Sequence, residues 1–160
     1  MSLEMPADAL SAAMGSGINL NVLSHAMICA LVSQAASLFC VVGVFCDTVG
    51  PEQTLAGKIR SVCPAGAEVT VSAKADSLFP IVSAASIVAK VERDRLLSLL
   101  SAKCAEEGVQ SPGSGYSSDP VTIAWLEAVV AGRQTATFRP WLRTKWATYE
   151  RIAAGATGRK

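Results

Sequence analysis

Residues 71–94 read VSAKADSLFPIVSAASIVAKVERD, and the fold turns on how that run is divided. An apolar stretch, EVTVSAK, stops at a single acidic residue, Asp76, and Pro80 then opens a run of small residues that ends in mixed charge. Proline is tolerated in the first turn of a helix, where its missing N–H has no partner to lose. The spacing therefore predicts a strand over AEVTVSAK ending just before Asp76, and a long helix from Pro80 to about Leu100. A carboxylate at such a junction ordinarily serves a turn or a helix cap, so anything more must come from its surroundings.

Upstream, VVGVFCDT reads as a short, wholly apolar strand ending at Asp47, the pattern of a central strand covered on both faces. GPEQTLAGKIRSV turns and forms a helix with Pro51 near its start. Before these come a short helix (PADALSAAM), a GSG turn and the apolar helix NLNVLSHAMICALVSQAASL. Downstream, the loop EEGVQSPGSGYSSDP leads into DPVTIAWLEAVVAG, a helix punctuated by Asp119 as N-cap, Pro120 at its first position and Gly132 past its end. FRPWLRTKWATYERIAAG predicts a basic aromatic helix with a loose tail. The order is that of an α/β domain with two strands, too few for a sheet whose strands are buried on both faces. Something is missing, or another chain supplies it.

The 160 residues suit one domain, and 51% apolar against 17% charged residues excludes a disordered chain. Five cysteines, with no CxxC pair, suggest buried free thiols in a reducing compartment rather than disulfides or zinc. The single histidine, His25, reads as a packed or capping residue without chemistry. Net charge is +1, but residues 1–56 carry no Lys or Arg, while residues 131–160 carry seven basic residues against Glu150 alone. Such a basic end suggests an acidic partner, nucleic acid first; a solvated helix with a frayed tail is the alternative. Ala9 to Cys46 holds no charged residue and is long enough to span a bilayer. His25, Gln34 and three serines interrupt it, no basic residue flanks it, and VVGVFC is β-rich, so no membrane is expected.

Parallel strands joined by a helical crossover lie side by side or one strand apart, so Asp47 and Asp76 emerge at one carboxyl edge. Neighbouring carboxylates repel unless a cation or a shared proton lies between them, and oxygen ligands without His or Cys suit magnesium or manganese. Lys74 and Lys90 are candidate phosphate contacts, and Ser83, Ala84, Ala85 and Ser86 would let a nucleic-acid backbone approach closely. On residue types alone, two aspartates capping separate turns are the favoured reading.

KADSLFPIVSAASIVAKVERD resembles the signature of the type 2 ribonucleases H (ribonuclease HII): a Lys-Ala-Asp strand end, a Ser-Ala-Ala-Ser-Ile helix and a closing Ala-Lys-Val-x-Arg-Asp. VFCDTVGPE is similar to the eukaryotic and archaeal form of the segment bearing another active-site Asp, and GSGYSSDPVTIAWL to the family's Gly-Ser-Gly-Tyr loop and following helix. NLNVLSH and FRPWLRTKW are weaker echoes. Three long motifs in register over residues 18–148 are far more specific than any one of them.

The resemblance implies a ribonuclease H-like α/β fold and an endoribonuclease that hydrolyses RNA in RNA/DNA hybrids and incises at ribonucleotides within DNA. It implies Asp47 and Asp76 as catalytic carboxylates binding Mg2+ or Mn2+, and Tyr116 packing on the sugar at the RNA–DNA junction. Lys74, Lys90, Arg139, Arg143 and Lys145 are candidate phosphate contacts. The family's amino-terminal Asp-Glu-Ala-Gly-Arg-Gly segment, with two further carboxylates, has no counterpart here. The expectation is a fold truncated at its amino end, weak or inactive alone: a variable segment 1–17, a partial catalytic domain 18–132 and a basic extension 133–160. DTVGPE implies a nuclear catalytic subunit with two noncatalytic partners. The competing expectation is a noncatalytic, nucleic-acid-binding remnant.

Overall fold

The computed structural model describes residues 1–132 and 141–157. In chain order the elements are α1 (Ala7–Gly15), α2 (Leu20–Leu38), β1 (Gly43–Asp47), α3 (Glu52–Arg60), β2 (Glu68–Ser72), α4 (Ala75–Leu78), α5 (Pro80–Glu106), α6 (Pro120–Val130) and α7 (Ala147–Thr157). They form two compact units, one of Met1–Glu4 with Ile18–Ala89, the other of Met5–Gly17 with the described residues from Lys90 onward.

In the first unit β1 and β2 are parallel neighbours, in register from Gly43 opposite Glu68 to Asp47 opposite Ser72. Side chains alternate across a strand. Val44, Cys46, Val69 and Val71 accordingly face a core built on Val32, Leu55 and Ile59. Leu55 and Ile59 lie one helical turn apart on α3 and are wholly buried. Asn19 caps α2 by accepting the Asn21 N–H at 2.8 Å. α2 is long and apolar enough to cross a membrane by length and composition; here its Ile28 and Val32 pack into this core. The opposite face is less covered than a central strand's, since Phe45 remains 36% exposed, with Phe79 4.9 Å from it between ring centroids. Among the described residues the sheet has these two strands, which leaves one edge of β1 unpaired.

The strand before Asp76 is shorter than the sequence suggests. β2 stops at Ser72, and Lys74 takes the left-handed conformation (φ 55°, ψ 38°), which ends the extended run and places Asp76 inside α4. Left-handed backbone at a residue bearing a Cβ costs about 1–2 kcal/mol, and no composition signal announces it at a lysine.

In the second unit α5, α6 and α7 enclose Leu100, Cys104, Trp125, Leu126 and Leu142. Asp119 caps α6 as expected, accepting Val121 N–H at 2.9 Å and, through its other oxygen, the N–H and hydroxyl of Ser114, each at 2.7 Å. Gly113 (φ +67°) is required in this loop: a Cβ there would meet Asp119 Oδ2 at 2.6 Å and Thr122 N at 2.9 Å. These donors, the Ser114 N–H first, lower the Asp119 pKa from its ordinary 3.8 to about 2. A depressed carboxylate pKa contributes stability that is complete above the unfolded value and lost as pH falls through the folded one. The thermal midpoint should therefore fall between about pH 4 and pH 2, and Asp119→Asn should remove part of that dependence while leaving the neutral-to-alkaline profile parallel. An unchanged acid limb would contradict this.

The basic aromatic helix starts later than expected, at Ala147. Through Trp141–Trp146 the backbone is not α-helical, because the Thr144 N–H is drawn off to Ser11 Oγ at 2.9 Å and Trp146 N–H closes a turn on Arg143. All five thiols are free, but Cys104 alone is buried and Cys40 is exposed, so the expectation of generally buried thiols does not hold.

Candidate metal and nucleic-acid site

Asp47 ends β1, directly opposite Ser72, the last residue of β2. Its Oδ1 accepts two backbone N–H groups, from Thr48 at 3.0 Å and from Ala75 at 3.3 Å. The second bond crosses from β1 to the first residue of α4, and Asp76 is the next residue along. Asp47 and Asp76 consequently line one open cleft of about 670 Å³, otherwise walled mainly by apolar side chains including Phe45, Ile81 and Val82. Both aspartates are exposed. The two aspartates share the wall of this cleft, with α4 rather than the end of β2 carrying the second.

The loop after Asp47 is held from beneath. His25, 4% exposed, places Nε2 2.6 Å from the Val49 carbonyl and Nδ1 3.1 Å from Lys58 Nζ. The protonated amine donates to Nδ1, which leaves Nε2–H to donate to Val49. His25 is therefore packed, as its position in an apolar helix suggested, and it fixes the turn through Thr48 and Gly50. Thr48 Oγ1 donates to the Gly50 carbonyl at 2.9 Å. Gly50 adopts φ +71°, a backbone conformation strained for any residue bearing a Cβ. The NLNVLSH segment thereby acquires a physical role: His25 braces the segment that follows Asp47.

The donor set suits a hard cation in part. With Oδ1 engaged by two N–H groups, Asp47 offers Oδ2, and Asp76 offers its carboxylate to the same cleft; Mg2+ and Mn2+ prefer such all-oxygen surroundings. Among the described residues no group of three or more His, Cys, Asp or Glu side chains gathers in metal-binding range. Two carboxylates fit a share of one cation's shell and not a paired-metal site. The Cys46 thiol is pushed up by burial first, with Asp47 and Cys29 adding to it. The thiol is therefore protonated at neutral pH.

Lys74, at the left-handed turn, and Lys90, on α5, are both exposed. In the second unit Tyr116 is 54% exposed on the Gly-rich loop. The Arg93 guanidinium lies over its ring at 4.6 Å and donates to its hydroxyl, while Asp94 holds the same guanidinium. Asp94 is the main cause of the raised Arg93 pKa. Arg93 was visible in sequence only as the Arg of the closing Arg-Asp pair; nothing there joins it to a tyrosine 23 residues on. Tyr116, Arg93, Trp141, Trp146 and Arg143 line a cavity of about 350 Å³. Among the described residues Arg143 Nε is buried without a partner and Lys145 lies 3.8 Å from Glu150; Arg139 falls outside the described residues.

Comparison with known proteins matches residues 3–149 to the family described as Ribonuclease HII. The chain is 43% identical over 136 residues to a ribonuclease H2 subunit of Rattus norvegicus and 40% identical to its counterpart in Homo sapiens. In each case 84% of this chain aligns. It spans 44% of the length of these two curated relatives. Among solved structures, the ribonuclease H2 from Pyrococcus horikoshii OT3 superposes with a TM-score of 0.76 at 28% identity, over 96% of this chain and 67% of that one.

Proposed function

Because the chain belongs to the ribonuclease HII family and has its α/β fold, we propose that it forms part of an endoribonuclease. The substrates proposed are the RNA strand of RNA/DNA hybrids and single ribonucleotides embedded in duplex DNA. The observation that supports this reading is the placement of Asp47 and Asp76 on the wall of one cleft, with the end of β1 tied to the start of α4 by the Ala75 N–H.

In this reading Asp47 and Asp76 would together supply carboxylate oxygens to a magnesium or manganese ion. Such an ion supplies charge against the scissile phosphate and acidifies bound water. Lys74 and Lys90 contact phosphates, as do Arg139, Arg143 and Lys145 at the basic end, so binding should weaken with salt. Tyr116 presents a flat face to the deoxyribose at the junction and its hydroxyl to the neighbouring 2′-OH, the group that tells RNA from DNA. Arg93 limits the rotation of that ring.

With two carboxylates gathered, metal affinity and turnover should be low until further carboxylates are supplied. A noncatalytic, nucleic-acid-binding role is the second reading, favoured by the want of a third acidic group among the described residues. Assembly with two noncatalytic partner proteins and a nuclear location complete the proposal. The test is incision of a duplex bearing one ribonucleotide, by this chain alone and with an added amino-terminal fragment carrying the Asp-Glu-Ala-Gly-Arg-Gly segment. Metal-dependent cutting at the ribonucleotide in the mixture, and little without the fragment, is expected. A folded mixture that binds the duplex and never cuts it would favour the second reading.

A further inference from the structure

We propose that Glu52 is a positioning residue that sets the separation of Asp47 and Asp76 by clamping the turn between β2 and α4. The inference rests on the reading of those two aspartates as a cation site.

Glu52 opens α3, just beyond the turn that follows Asp47, and its Oε1 accepts the Ala73 N–H at 3.0 Å, from 21 residues further along the chain. Asp47 Oδ1 accepts the Ala75 N–H. The β1–α3 segment thus reaches across to the β2–α4 turn at two points, one on each side of Lys74. Lys74 is the described residue other than glycine with positive φ. A strained conformation persists when its surroundings over-determine it, and α4 has no side-chain cap of its own. The two acceptors supply the restraint, and Asp76 is carried on the element they hold. Glu52 acts through hydrogen bonding and not as a ligand, since no third carboxylate gathers with Asp47 and Asp76 among the described residues.

Hydrogen bonding and ligation separate under amide replacement: Glu52→Gln keeps the oxygen that accepts from Ala73, and Glu52→Ala removes it. The measurement is Mn2+ affinity of the full chain by titration into the millimolar range, with amide hydrogen exchange at Ala73 and Ala75 followed on the same samples. Glu52→Ala should weaken Mn2+ binding by roughly tenfold, in the range of outer-shell partners of metal ligands. It should also speed exchange at both amides, while Glu52→Gln stays close to the parent in each. Loss in Glu52→Gln equal to that in Glu52→Ala would overturn the clamp, as would unchanged affinity in Glu52→Ala or faster exchange confined to Ala73. Asp47→Asn and Asp76→Asn serve as controls. If neither alters Mn2+ binding, the cation site itself fails, and exchange at Ala75 alone then decides whether Glu52 transmits order across the turn.

Discussion

Asp76→Asn is expected to lower metal-dependent incision by the complemented protein roughly a hundredfold or more, a loss in keeping with removal of a charge that neutralises the reacting phosphate. The substitution keeps the side chain's shape and removes its charge, and Asp76 is exposed, so the fold should be unaffected. Asp47→Asn should behave alike for a less obvious reason. The amide oxygen of Asn can still accept the Thr48 and Ala75 N–H groups, so the strap across the two strands survives while the cation loses a ligand. Incision rates measured at saturating duplex and varied Mg2+ check this; parent-like rates in Asp76→Asn would remove the catalytic assignment.

Leu55→Ala is expected to cost about 2–5 kcal/mol of unfolding free energy, the range for emptying a fully buried leucine site. Leu55 has no exposed surface and joins α2, α3 and the inner faces of both strands through Val32, Ile59, Val44 and Val69. Domain stabilities are commonly only about 5–15 kcal/mol, so the variant should sit near unfolding at physiological temperature. Val42→Ala is the matched contrast. Val42 is 77% exposed beside the start of β1, and its loss should fall within about 0.5 kcal/mol of the parent. Urea unfolding of both variants decides whether burial or mere hydrophobicity governs this unit, and equal shifts would contradict the packing described.

Much of this was legible because it is written in local chemistry. The apolar runs in AEVTVSAK and VVGVFCDT mark the two neighbouring parallel strands, and Asp119-Pro120 with Gly132 marks α6 at both ends. The two aspartates were singled out because strand carboxyl ends are where parallel topology gathers side chains. What escaped depends on backbone conformation without a residue signature, or on ties between distant residues. The left-handed Lys74 ends the strand early and puts Asp76 in α4. The bonds of Glu52 to Ala73, His25 to Val49 and Arg93 to Tyr116 each join residues 21 to 24 apart, a distance at which no periodicity speaks. The late start of α7 follows from Ser11 claiming the Thr144 N–H, again a partner remote in sequence.

The most direct trial is a two-dimensional NMR titration of the chain with substoichiometric Mn2+, whose unpaired electrons broaden nearby amides first. The amides of Thr48, Ala75 and Ser77 should disappear before all others, and Asp47→Asn or Asp76→Asn should abolish that order. Earliest broadening at any other place in the chain, or an unchanged pattern in both variants, would contradict a cation held between these two carboxylates.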